Sequence, residues 1–328
     1  MSKKEIYSIF RETINNFDLL RPEEAILVGC SGGPDSVALL VLFKEFQKEN
    51  KIDISVACLN HGLRAHAEEE VRFVKSISNR MGFKFYTKKT IVSKKDSLEQ
   101  QARIERIRFF KEISQKTGIQ KVALGHNSDD VAETVFMRIL KGTGLRGLRA
   151  IMPKSEVEGL IFIRPLIFLS KEDILAFLKK KGVQYCVDES NYSYQFLRNK
   201  IRHFLIPLIE KECAPGFRQH LLNLYLESIY DYAFLEEEVN KIFARVCKVE
   251  RNRIIVSSDK FKRLPMAAKA LLFRSIYKVL NKNLKGLEYK HFKYFYSFIE
   301  SLRYNKILEL PRGINVLKTK DTLIFLKR

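Results

Sequence analysis

The chain is 328 residues long, 46% hydrophobic, and carries 59 Lys and Arg against 38 Asp and Glu, a formal net charge of +21. That length holds one large domain and a smaller one, and the absence of any run of ~18 apolar residues excludes a helical membrane span. Five scattered cysteines (30, 58, 186, 213 and 247), none in C-x-x-C spacing, speak against a disulfide framework, a zinc site and an iron–sulfur cradle.

The first stretch, "MSKKEIYSIFRETINNFD", reads as an amphipathic polar helix rather than a signal peptide, so the cytoplasm is the expected location. From residue 24 to 168 two periods alternate. The β-rich runs "AILVGC", "IDISVACLN", "FKFYTKKTIV", "KVALGH" and "IFIRPLIF" are separated by stretches of 3.6-residue periodicity such as "HAEEEVRFVKSISNRMG" and "SLEQQARIERIRFFKEISQKTG". This rhythm predicts right-handed βαβ crossovers, hence an α/β fold: a mostly parallel sheet with helices on both faces, and ligands at the carboxyl ends of its strands. A further helix is expected from Ser170, an N-cap followed by acids. Pro215 and Gly216 in "CAPGF" mark the expected boundary between a catalytic domain with linker helix, 1–215, and a C-terminal domain, 216–328. The latter is expected to be helical to about residue 302, then to end in the strands "KILEL", "INVLK" and "TLIFLK", the last two joined by a "TKD" turn.

Charge is concentrated at that end. Lys241 to Arg328 holds 22 Lys and Arg against 6 Asp and Glu, a net of +16, which leaves +5 for the remainder. Such an excess draws polyanions and otherwise costs self-repulsion, so a nucleic acid is the expected partner in preference to a merely solvated surface.

The residues with chemical potential sit at strand ends. In "CSGGPDS" the glycines Gly32 and Gly33 let backbone N–H groups turn toward an anion, the following helix adds its positive end, and Ser31 and Ser36 add hydroxyls. No Walker lysine is present. Asp35 supplies the opposite charge, tolerable beside a polyphosphate only with a metal between, so it is a natural Mg²⁺ ligand. The plain alternative is a Gly-rich turn before an ordinary helix. In "GHNSDDVAET" Asp130 and Glu133 share one face at a helix start, where they can share a second Mg²⁺ contact or grip an ammonium group; acids that only steady a helix N-terminus are the alternative, sufficient for Asp129. His126 is a candidate base as readily as a structural histidine. "LNHGLR" ends the second strand in the same way. On "QARIERIRFF", Arg103 and Arg106 share a face, and Arg106 is the choice for gripping phosphate.

Taken together, "SGGPDS" resembles the pyrophosphate loop of the N-type ATP pyrophosphatases. "LNHGLR", "ARIER", "GHNSDDVAET", "RPL" at 164–166 and "DESNYSYQFLRNKIR" at 188–202 resemble one branch of that superfamily, the tRNA(Ile)-lysidine synthetases. The resemblance is dense over residues 24–210 and loose beyond. Ile107 departs from it, where the family often has an aromatic residue. The resemblance implies an adenine nucleotide alpha hydrolase-like fold, Mg²⁺, and ATP bound by Ser31, Gly32, Gly33, Pro34, Asp35, Ser36, His61 and Arg106. It implies a two-step reaction: the 2-oxygen of the wobble cytidine of a CAU anticodon attacks the α-phosphate of ATP, then the ε-amine of free L-lysine displaces AMP at C2. Asp130 and Glu133 would bind lysine, with Glu133 nearer the metal beside Asp35; Asp130, Glu133 or His126 would accept the amine proton; Arg198, Asn199 and Arg202 would lie against the tRNA, unless they form only surface salt bridges. No membrane is expected, and a homodimer is admitted. Three rivals stand beside it. A thiolase of the superfamily lacks the cysteines it needs here, an amide-forming synthetase has no use for the basic C-terminal domain, and a non-catalytic RNA-binding protein leaves Asp35, Asp130 and Glu133 unexplained.

Overall fold

The computed structural model describes residues 3–60, 62, 67–90, 98–186, 197–301 and 304–327. The chain divides into two compact units, Met1–Ser228 and Ile229–Arg328. In the first, α1 (Lys3–Asn16), β1 (Ala25–Gly29), α2 (Pro34–Glu49), β2 (Asp53–Asn60), α3 (Ala67–Arg80), β3 (Lys84–Lys89) and α4 (Leu98–Thr117) alternate as the periodicity predicts. Then come β4 (Lys121–Ala123), α5 (Ser128–Leu140), a short α6 (Leu145–Leu148), β5 (Lys154–Val157), β6 (Leu160–Ile163) and α7 (Lys171–Lys181), which begins at the predicted N-cap, Ser170. A bent segment follows, α8 (Leu197–Lys200), a π-helical turn (Ile201–Leu205) and α9 (Ile206–Glu212), before the long α10 (Phe217–Val246).

The sheet order is β3-β2-β1-β4-β6-β5, parallel except for β5. Winding therefore reverses between β1 and β4, and the crevice at such a reversal is where open α/β sheets bind ligands. Side chains alternate across the sheet as the pleat requires. Ile26, Val28, Ile54 and Val56 pack with α1, α2 and α7 on one face, while Leu27 and Ala57 meet Phe109, Phe110 and Ile113 of α4 on the other. Helix α2 is buried nearly all round, from Val37 to Phe43, because it lies between the sheet and other helices. The antiparallel β5 is absent from the predicted strands. Its sequence, "KSEV", is short and polar, and it is turned onto β6 by Glu158 and Gly159, both at positive φ, as a two-residue hairpin loop requires.

The division between units falls inside α10, downstream of Pro215 and Gly216. Leu221 and Tyr225 explain why: both are buried in the first unit, where the Tyr225 hydroxyl donates to the Ile151 carbonyl at 2.6 Å and its ring lies 6.5 Å from that of Phe168.

The second unit corrects one expectation. Where helix is predicted up to residue 302, the chain first forms the hairpin β7 (Cys247–Glu250) and β8 (Arg253–Ser257). After it come α11 (Ser258–Lys262), α12 (Met266–Asn281), α13 (Tyr289–Glu300), and then β9 (Lys306–Leu310), β10 (Ile314–Lys318) and β11 (Thr322–Lys327), the last three where the sequence predicts them. All five strands join one antiparallel sheet, β7-β8-β11-β10-β9. The β-branched run "RIIVS" was the available signal for β8; its main partner, β11, lies far along the chain, which local periodicity does not reveal. The core is aromatic, with Phe273 stacked on Phe295 at 4.5 Å between centroids.

Candidate functional site

The loop between β1 and α2 is built around Ser36. Its hydroxyl accepts from the Ser31 N–H at 3.2 Å and donates to the Gly33 carbonyl at 2.9 Å, which holds the chain in a tight turn before the Pro34-led helix. Gly32 sits at φ +87°, with Cys186 and Val74 where a Cβ would point. The neighbouring β4–α5 loop comes close enough that a Cβ on Gly125 would lie 3.0–3.1 Å from the backbone of Asp35 and Ser36. These two loops flank the reversal point. In front of them opens a cavity of about 450 Å³, whose lining includes Ser31, Asp35, Ser36, Arg106 and His126 together with Ala57, Leu59, Val71, Ala102 and Phe110. The first group offers polar and charged contacts for phosphates, and the second offers apolar contacts for a base.

Asp35 is fully engaged. Its Oδ1 accepts from Asn127 Nδ2 at 3.0 Å and its Oδ2 lies 2.5 Å from Lys171 Nζ. Neither partner was singled out from the sequence. Asn127 caps α5, and the pattern Asn-x-x-Asp announces that cap: the Asn127 side chain accepts from the Asp130 N–H, and the Asp130 carboxylate accepts from the Asn127 N–H.

Asp130 and Glu133 do share a face, and that face meets Arg198 and Arg202. Asp130 Oδ1 accepts from both guanidiniums, at 2.9 and 3.1 Å. Glu133 accepts from Arg198 Nε at 3.0 Å and from Arg202 at 2.5 and 3.0 Å. Thus Arg198 and Arg202 turn onto carboxylates, with about a third of each side chain still exposed, 33% and 36%. They stand one turn apart across the junction of α8 and the π turn, an irregularity common at functional sites. Glu133 is 3% exposed and Asp130 side chain 15%. The expected Asp35–Glu133 pair is accordingly split between two sets of partners, and among the described residues no group of three His, Cys, Asp or Glu could hold a metal ion. A Mg²⁺ held mainly by substrate phosphates needs only one or two carboxylates, so Asp35 fits it and Glu133, enclosed by arginines, does not. His61 lies outside the described residues.

His126 is partly buried beside the cavity, and its Nδ1 has no hydrogen-bond partner among the described residues. Burial, and the guanidiniums of Arg164, Arg106, Arg198 and Arg103, push its pKa from 6.5 down to about 3. The ring is therefore neutral at physiological pH. It also reports on the cationic crevice. Because the unfolded chain protonates first as pH falls, the folded state keeps its full stability above pH 6.5 and loses it toward pH 3. His126→Gln should flatten the fall of unfolding free energy across that window by up to about 1.4 kcal/mol per pH unit; an unchanged slope in denaturant titrations would show a normally titrating ring.

Residues 3–209 match the PP-loop domain family ATP_bind_3. The chain is 31% identical to the tRNA(Ile)-lysidine synthase of Clostridioides difficile, over 97% of this chain and 70% of that one, and 32% identical to that of Persephonella marina, over 96% and 68%. It is also 30% identical to the bifunctional protein TilS/HprT of Listeria innocua over 99% of its own length, but spans only about half, 50%, of that relative. Among solved structures, the U34-tRNA thiolase NcsA of Methanococcus maripaludis shares the fold, with a TM-score of 0.58 at 20% identity over 68% of this chain and 77% of that one.

Proposed function

The chain belongs to the PP-loop family and within it to the tRNA(Ile)-lysidine synthases, and from that premise we propose that it ligates L-lysine to C2 of cytidine 34 in the CAU anticodon of tRNA(Ile), with AMP and pyrophosphate as the other products. One arrangement carries this reading: the phosphate-type loop of Ser31 to Ser36 lines the cavity, and the paired carboxylates Asp130 and Glu133, suited to a small cation, stand on α5, whose cap Asn127 donates to Asp35 and accepts from the Asp130 N–H.

In the first step the cytosine 2-oxygen attacks the α-phosphate and pyrophosphate leaves. The first turn of α2, the hydroxyls of Ser31 and Ser36, and Arg106 hold the leaving phosphates and their growing charge. Mg²⁺ arriving with ATP would be held by Asp35 and would neutralise phosphate charge. His126, neutral, serves as a hydrogen-bonding group at the crevice wall. In the second step the lysine ε-amine attacks C2 and AMP leaves. Asp130, the more exposed acid, receives the ammonium group by displacing an arginine contact, and a carboxylate of the pair takes the proton. The target base must leave its stack to enter, which costs little in a single-stranded anticodon loop. Such a reaction belongs in the cytoplasm; among the described residues no helix is long and apolar enough to cross a membrane.

The decisive assay offers labelled lysine to tRNA(Ile) and tRNA(Met) transcripts. Incorporation should need ATP and occur on tRNA(Ile) alone, and pyrophosphate release should need ATP and tRNA together. Release without tRNA would overturn the reading.

The second unit supports tRNA affinity. On α13, Tyr289, Lys290 and Tyr294 are exposed while Phe292, Phe295 and Ile299 are buried, so bases and phosphates find aromatic and cationic groups on one helix. The logarithm of tRNA affinity should fall linearly with that of salt. Replacing Lys290 and Lys293 by Gln should weaken tRNA binding and make that line shallower while ATP affinity stays unchanged, as filter binding and nucleotide titration would show.

A further inference from the structure

The loop of residues 31–36 brings no cation to the phosphates, yet a lysine, Lys171, already reaches its carboxylate, Asp35. Lys171 stands in the first turn of α7, where the helix dipole favours acids and disfavours a cation. The two residues after it, Glu172 and Asp173, obey that rule. Lys171 breaks it, and local rules are broken chiefly at functional sites.

Its position is held from behind. The Lys171 N–H donates to Asp129 Oδ2 at 2.8 Å, and the Ser128 N–H donates to the Leu169 carbonyl at 2.9 Å, so the start of α7 is tied to the start of α5. From there the side chain reaches Asp35, contacting it at 2.5 Å, while remaining 38% exposed. An ion pair this open to solvent adds little stability, on the order of 0–1 kcal/mol. Folding is therefore a weak reason to hold a lysine in an adverse position. A polyphosphate in the loop is a stronger one, because it needs cations and because a metal taken up by Asp35 would compete directly with the ammonium group.

We propose that Lys171 supplies the cation missing from the phosphate loop: it neutralises Asp35 in the nucleotide-free protein and moves to the phosphates of ATP when Asp35 engages Mg²⁺. This rests on the nucleotide reading of the crevice but not on lysine transfer or on tRNA(Ile) as substrate.

The test is equilibrium binding of Mg·ATP and of adenosine to the full chain, without tRNA or lysine, for Lys171→Met and Lys171→Arg, each with its thermal midpoint. For Lys171→Met, Mg·ATP should bind about 10- to 150-fold more weakly, the range of one charge-assisted hydrogen bond. Adenosine, which has no phosphates, should bind as it does to the parent, and Lys171→Arg should recover most of the ATP affinity. Unchanged ATP affinity in Lys171→Met overturns the proposal. So does an equal loss for ATP and adenosine with a lowered midpoint in both variants, since that marks a packing role. Failure of lysidine formation with this binding pattern intact would count against the overall reaction and leave the role of Lys171 standing.

Discussion

Asp35→Asn should lose adenylation by on the order of 10²-fold or more, since metal and phosphate stabilisation act mainly in the transition state. The structure sharpens the expectation. An amide at this position can still accept from Asn127, but it cannot neutralise Lys171 or bind Mg²⁺ as a carboxylate does. Both sides of the Asp35–Lys171 pair are partly exposed, so the folded state should lose no more than about 1 kcal/mol. Single-turnover pyrophosphate release on tRNA, beside a thermal melt, separates the two effects. A variant that releases pyrophosphate at the parent rate removes Asp35 from the chemistry.

Glu133→Gln should show the opposite balance. Its carboxylate takes three hydrogen bonds from Arg198 and Arg202 at a site only 3% exposed. Breaking a buried pair leaves uncompensated charge and costs about 3–5 kcal/mol; the arginine side chains stay 33% and 36% exposed, which puts the expected loss near the lower end. Asp130→Asn should melt closer to the parent and still adenylate tRNA, yet need about 10- to 150-fold more lysine for transfer. Chemical denaturation of both variants, alongside lysine titrations, distinguishes them. Should Glu133→Gln match the parent in stability while losing lysine affinity alone, the roles assigned to the two acids are reversed.

The βαβ rhythm of the first unit was legible because strands buried on both faces read as apolar runs, and the phosphate loop because Gly32 has no substitute at φ +87°. The carboxylates Asp130 and Glu133 were legible as a spacing on one helix. Their partners were not. Arg198 and Arg202 lie more than sixty residues away, and only the folded chain shows that these cations pair with those acids. Lys171 was hidden in a stretch whose neighbours, Ser170, Glu172 and Asp173, satisfy the rules of a helix start so well that the exception passed unnoticed. Strands β5, β7 and β8 escaped for a related reason: each is short and takes its identity from pairing, not from its own periodicity.

The cluster of two acids and two arginines has one more consequence. With two acids already matched by two arginines, an arriving ammonium group would have to displace a guanidinium contact while that arginine stays tethered nearby, so occupancy would add one positive charge to the cluster. Any lysine affinity there would then be a difference between two similar attractions, and modest in size. Under the proposed reaction, tRNA binding releases many counterions and weakens steeply with salt, so raising the salt should lower tRNA affinity well before it lowers affinity for a single ammonium group.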